Sequence, residues 1–194
     1  MPLCANRVPL PGSPSTCTLD TVIVPLPSFL LVAAFLLLYL RLLKAKPSPG
    51  ATSYPKWLHY VYFILVIAAL GMALLEIGRL VVDDLGVGLL PITPVAFFLV
   101  LYILWHERRV RTRAMSYLLS GYWLFLCIVF IVKTVRLRVL EQHESAKSKY
   151  PASDQLLDNA VMAGLFAVFF CAEIISIMLS KSVTPEPFEL GGVR

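Results

Sequence analysis

The sequence predicts an all-α fold, a polytopic membrane bundle of five transmembrane helices, and three observations lead there. Apolar residues make up 58% of the 194, with a mean hydropathy of +0.78. Charged residues are only 15%, against roughly 25% in soluble domains. Those charges gather between long apolar runs instead of being sprinkled through them. Crossing a hydrocarbon core of about 30 Å takes roughly 20 residues at 1.5 Å rise, and backbone groups in lipid must bond within their own segment, so each such run reads as a helix.

The first run, from Thr21 to Leu40, carries no charge, and Pro11, Pro14, Pro25 and Pro27 make its approach irregular. A cleavable signal peptide fits it poorly. It starts about twenty residues in, exceeds a signal core in length, and is followed by Arg41 to Lys46 where a small-residue cleavage site would be required. Pro47, Pro49 and Pro55 keep the next loop out of helix. The second run, from Trp57 to Leu75, continues past Glu76 and Arg79 to Val82. In the third, Leu85 to Trp105, Pro91 and Pro94 predict a kink. Ala114 to Val132 is the fourth, and the helical spacing of Val135, Val139 and Leu140 either extends it or lays a helix on the membrane surface. The fifth, Asn159 to Ser180, has one interior charge, Glu173. The expected organisation is an outer segment at 1–20, a membrane domain at 21–180 with spans near 21–43, 57–82, 85–105, 114–135 and 156–180, and a cytosolic tail at 181–194.

Lys and Arg in short loops set orientation. With the N-terminus outside or luminal and the C-terminus cytosolic, the inner segments hold ten: Arg41, Lys44, Lys46, Lys56, Arg108, Arg109, Arg111, Arg113, Lys181 and Arg194. The outer segments hold six: Arg7, Lys133, Arg136, Arg138, Lys147 and Lys149. The net charge of +5 is split between the two faces, which argues against nucleic acid. Anionic headgroups of the lipid bilayer are a sufficient partner for the cytosolic basic loop at Arg108, Arg109, Arg111 and Arg113.

Candidate residues follow from the cost of polarity in lipid. Glu76 and Arg79 lie three apart on one helix face, so each meets the other or a neighbouring helix, and Glu173 needs a basic or hydroxyl partner near the cytosolic end. In the fifth span Ala160 and Gly164 form one small-residue ridge, with Ala163, Ala167 and Cys171 beside it. Such ridges let backbones approach closely, either within the bundle or against a partner. Ala69 and Ala73 are a weaker instance. Trp57, Tyr60, Tyr62, Trp105, Tyr122 and Trp123 read as interface anchors. Cys127 and Cys171 read as small core residues. Cys4 and Cys17 lie on the outer side, where a disulfide would close a loop of about a dozen residues worth about 3 kcal/mol, and two unpaired thiols stand as the alternative.

Several strings resemble a known family. TCTLDTVIV at 16–24, LLEIGR at 74–79, LWHERR at 104–109 and YWLFLCIVFIVKTVRL at 122–137 resemble, in order and spacing, the extra N-terminal five-helix membrane domain (TMD-zero) of C-subfamily ABC transporters. The multidrug-resistance-associated proteins, the yeast vacuolar cadmium factor and the sulfonylurea receptors carry such a domain. The resemblance implies a non-catalytic accessory domain of an ABC transporter, acting in assembly, trafficking or docking, in the vacuolar or plasma membrane. It also implies a transporter core or another membrane protein as partner, and makes 181–194 the start of a linker. No G-x-x-x-x-G-K-[ST] loop is present, so nothing here points to ATP hydrolysis or to a cofactor.

Two other classes fit the sequence less well. An intramembrane lipid-modifying enzyme would need catalytic groups at one depth, but His59, His106 and His143 fall at a span start and in two different loops, with no metal-binding pair. A free-standing small carrier or receptor would be expected to show an internal inverted repeat, and none stands out.

Overall fold

The computed structural model describes residues 19–42, 56–82, 88–106, 113–143 and 152–179. Among them every regular element is helical. A π-helical turn, Leu19–Ile23, precedes α1 (Leu26–Leu42), followed by α2 (Lys56–Val82), α3 (Ile92–His106), α4 (Arg113–His143) and α5 (Ala152–Leu179). The run from Thr21 to Leu38, α2, α4 and α5 are long and apolar enough to cross a membrane, and α3 is a shorter apolar helix. Cys4, Cys17, Arg108, Arg109 and Arg111 lie outside the described residues; Arg113 is the first residue of α4.

Proline sets where α1 and α3 begin. Pro25 sits in the turn before α1 and Pro27 is its second residue, where the missing N–H would have had no partner. The same chemistry corrects the expected third span. Residues 88–91 form a turn, α3 starts only at Ile92, and Pro94 lies in its first turn, so the two prolines start the helix instead of kinking it. With 15 residues, α3 reaches about 22 Å, less than the hydrocarbon thickness. Gly88 makes this turn feasible. Its φ is +49°, and a Cβ there would stand 2.4 Å from the Thr21 Cβ and 2.7 Å from the Thr21 carbonyl oxygen. Only glycine lets the turn lie against the π-helical turn, where the Leu89 N–H donates to the Thr21 carbonyl at 3.0 Å.

The 31 residues of α4 reach His143, so of the two alternatives for the stretch after 135 the structure takes the extension of the fourth helix. Its most extensive neighbour is α5; α2 packs on α3 and α5, and α1 on α3 and α4. Lipid tails are as apolar as leucine, so association here rests on close packing and polar contacts, not on removal of apolar surface from water. The packing centre is aromatic. Trp123, fully buried, lies 4.7 Å from the Phe169 ring and stacks on Phe166 at 5.7 Å, with Phe97 at 5.8 Å.

Three of the six aromatics read as interface anchors therefore need correction. Tyr62, Tyr122 and Trp123 are core residues, whereas Trp57, Tyr60 and Trp105 are exposed near helix ends. Tyr122 and Trp123 lie some ten residues into α4, about 15 Å from its start, too deep for a headgroup. Cys171 is likewise exposed, not in the core, while Cys127 is half-buried with its thiol directed at the Ala163 carbonyl at 3.6 Å.

Candidate functional site

Three polar layers tie the helices together. Two of them join α2, α4 and α5, some 14 residues apart on α2 and therefore about 21 Å apart along it.

The first of these is a hydrogen-bonded chain in the N-terminal half of α2. The Tyr62 hydroxyl donates to Glu173 Oε1 at 2.8 Å and accepts from Trp123 Nε1 at 2.7 Å. All three residues are buried, and the Tyr62 ring meets Phe169 edge-on at 5.3 Å. One hydroxyl from α2 thus links a carboxyl on α5 to an indole on α4. Its dual role suits it to the place, since a phenol donates and accepts whereas an indole N–H only donates.

The second layer is ionic and lies toward the C-terminal end of α2. Glu76 pairs with Lys133 of α4, and Arg79 pairs with Asp158 of α5. The Glu76 and Lys133 side chains are only 11% and 4% exposed, whereas Arg79 and Asp158 are 47% and 34% exposed. The Lys133 ammonium also lies 5.5 Å from the centre of the Phe130 ring, a cation–π distance. The sequence placed Glu76 and Arg79 together on one face; the structure sends each to a different neighbouring helix. A buried charge in lipid is tolerated only with such a partner.

A third layer joins the remaining helices. Ser28 Oγ of α1 donates to Thr93 Oγ1 of α3 at 3.5 Å and lies 3.3 Å from the Tyr122 hydroxyl of α4. Among the described residues no three of His, Cys, Asp and Glu gather in one place.

The two small-residue ridges of α5 part company. Ala163 is buried against α4, and Ala69 and Ala73 are buried in α2. Ala160 and Gly164 are exposed, with Ala167 half-buried between the two faces. A Cβ on Gly164 would meet nothing within 4 Å. A larger residue at Gly164 consequently has no helix of this bundle to push away, so of the two uses open to a small-residue ridge, packing within the bundle is not the one made of Gly164.

What the described residues build is a set of tie points between helices, with Glu76, Lys133 and Glu173 held inward and large apolar side chains outward. The sequence pattern of the ABC transporter TMD0 domain matches residues 7–151, three quarters of the chain. The chain belongs to the ABC transporter TMD0 domain family. This TMD0 domain is accordingly an accessory, multi-pass membrane domain of the ABC transporter class. The match takes in α1 to α4, with α5 following it. No curated protein and no solved structure matches the chain.

Proposed function

We propose that this TMD0 domain acts by contact: it docks beside the core of a C-subfamily transporter, or on another membrane protein, and serves its assembly, trafficking or partner binding. The observation that carries the reading is the family match over residues 7–151. The distribution of polarity supports it. Glu76, Arg79, Lys133 and Asp158 are paired within the bundle, and the outward side of α5 is apolar with small residues at Ala160 and Gly164.

In this reading Gly164→Leu fills the outward face without touching the fold. It should leave helical content and the melting temperature unchanged and lower co-purification with the transporter core about tenfold, ~1.4 kcal/mol. Unchanged co-purification would remove that face from the docking surface, and a large drop in melting temperature would show that Gly164 packs inside the bundle.

In this proposal the N-terminus is exterior or luminal and the C-terminus cytosolic, on the strength of the distribution of basic residues, ten inner against five outer once Lys133 is set aside as buried in α4. The vacuolar or plasma membrane is what the family resemblance implies. A single cysteine at Thr112 should react with an impermeant maleimide from the cytosolic side, and one at Ser145 from the other side. The opposite labelling pattern would invert the domain.

A further inference from the structure

In lipid the rotation of an apolar helix about its own axis is poorly determined, because a leucine turned from a neighbour toward a lipid tail loses little. Polar side chains are the exception, since each carries a cost of several kcal/mol if it turns away from its partner into hydrocarbon. The polarity of α5 is one-sided. Asn159, Glu173 and Ser176 are all buried, while Leu157, Val161, Val168, Ile175 and Met178 on the far side are exposed and apolar.

Glu173 is the strongest of these inward groups. It is 1% exposed and its Oε1 accepts the 2.8 Å bond from Tyr62, whose oxygen is held in turn by Trp123. Trp123 does not move freely: it is fully buried and packed on Phe97, Phe166 and Phe169. The chain Trp123 to Tyr62 to Glu173 therefore runs from a fully buried, ring-packed side chain of α4, through α2, to one point on α5. Gly164 is nine residues before Glu173, and at about 100° per residue nine steps place it on the opposite side of the helix. Holding Glu173 inward and holding Gly164 outward are one and the same constraint.

We propose that Glu173 is a positioning residue: hydrogen-bonded through Tyr62 to Trp123, it locks the rotation of α5 and so determines which face of that helix the domain presents outward. The function of that face as a docking surface rests on the reading above; the rotational lock does not.

Single spin labels placed in turn at 160–171 in the intact chain, with other cysteines replaced, read the rotation directly in phosphatidylcholine vesicles through oxygen accessibility. The unaltered Glu173 background should show maxima at 160, 164, 168 and 171. Glu173→Gln keeps an acceptor for the Tyr62 hydroxyl and should preserve that phase. Glu173→Leu should shift the phase by about one helical position, roughly 100°, or abolish the periodicity. Should Glu173→Leu fail to fold, Tyr62→Phe removes the linking hydroxyl while keeping its ring, and should produce the same shift. An unshifted pattern in Glu173→Leu, or in Tyr62→Phe where that variant takes its place, would overturn the lock, as would a shifted pattern in Glu173→Gln. Capture of the transporter core by the same samples separates the two ideas: a shifted phase with undiminished capture supports the lock and contradicts docking through this face.

Discussion

Lys133→Met is expected to destabilise the bundle by about 3–5 kcal/mol, the cost of leaving one partner of a buried ion pair behind. Lys133 and Glu76 are 4% and 11% exposed and lie on two different helices, so the Glu76 carboxylate has no water to fall back on. The double variant Glu76→Leu/Lys133→Met removes both charges and should recover most of the loss, because well-packed apolar residues replace buried ion pairs at little cost. Denaturation in mixed micelles, read by circular dichroism, measures both. Equal losses in the single and double variants would show that packing, not charge, carries the effect. The same geometry makes Glu76→Gln costly. It strands the Lys133 ammonium against a neutral amide, so Glu76→Gln should cost the bundle more than Gly164→Leu does.

Gly88→Val is the second large effect expected. The left-handed φ of +49° alone costs a side chain with a Cβ about 1–2 kcal/mol. The new Cβ would also fall 2.4 Å from the Thr21 Cβ and 2.7 Å from the carbonyl oxygen that accepts from the Leu89 N–H. Both neighbours belong to the Thr21 backbone and its first side-chain carbon, so no flexible tip can swing aside. The turn at 88–91 and the π-helical turn must separate, with loss of the 3.0 Å bond between them. A clear drop in melting temperature is the expected outcome, against no drop for Gly78→Ala, a helix-interior position where a Cβ meets nothing within 4 Å. An unchanged melting temperature in Gly88→Val would show that the clasp contributes little.

The fold was legible in the sequence because its strongest signal is bulk. Apolar runs of about 20 residues separated by charge have one solution in lipid, and α2 and α5 lie over the runs expected for them. The start of α3 departs from the expectation because run length counts apolar residues, and Leu89 and Leu90 are apolar without being part of that helix. What stops them is Pro91 and the left-handed Gly88, two local backbone effects that a hydropathy window does not weigh.

Partner identity was less legible than partner need. Glu76, Arg79 and Glu173 stood out as charges in apolar runs, and each meets a polar group on another helix. Lys133 and Asp158 were overlooked as those partners because both sit near span ends, where a basic or acidic residue reads as part of a loop. Tyr62 and Trp123 were assigned to the interface by residue type. For Trp123 the depth within its run is the available signal, since an aromatic ten residues into a span lies closer to the midplane than to a headgroup, whereas Tyr62, the sixth residue of its run, carries no such signal. Which of the two ridges of α5 packs inward was open, because both have the same small-residue spacing and only the position of the α4 backbone separates them.

The claim that this domain acts by contact is tested most directly by the purified chain alone in sealed liposomes, assayed for nucleotide hydrolysis and for leakage of a trapped solute. Neither should rise above empty vesicles, and a transporter core added in detergent should be stably captured. Hydrolysis or leakage by the chain alone would contradict the claim.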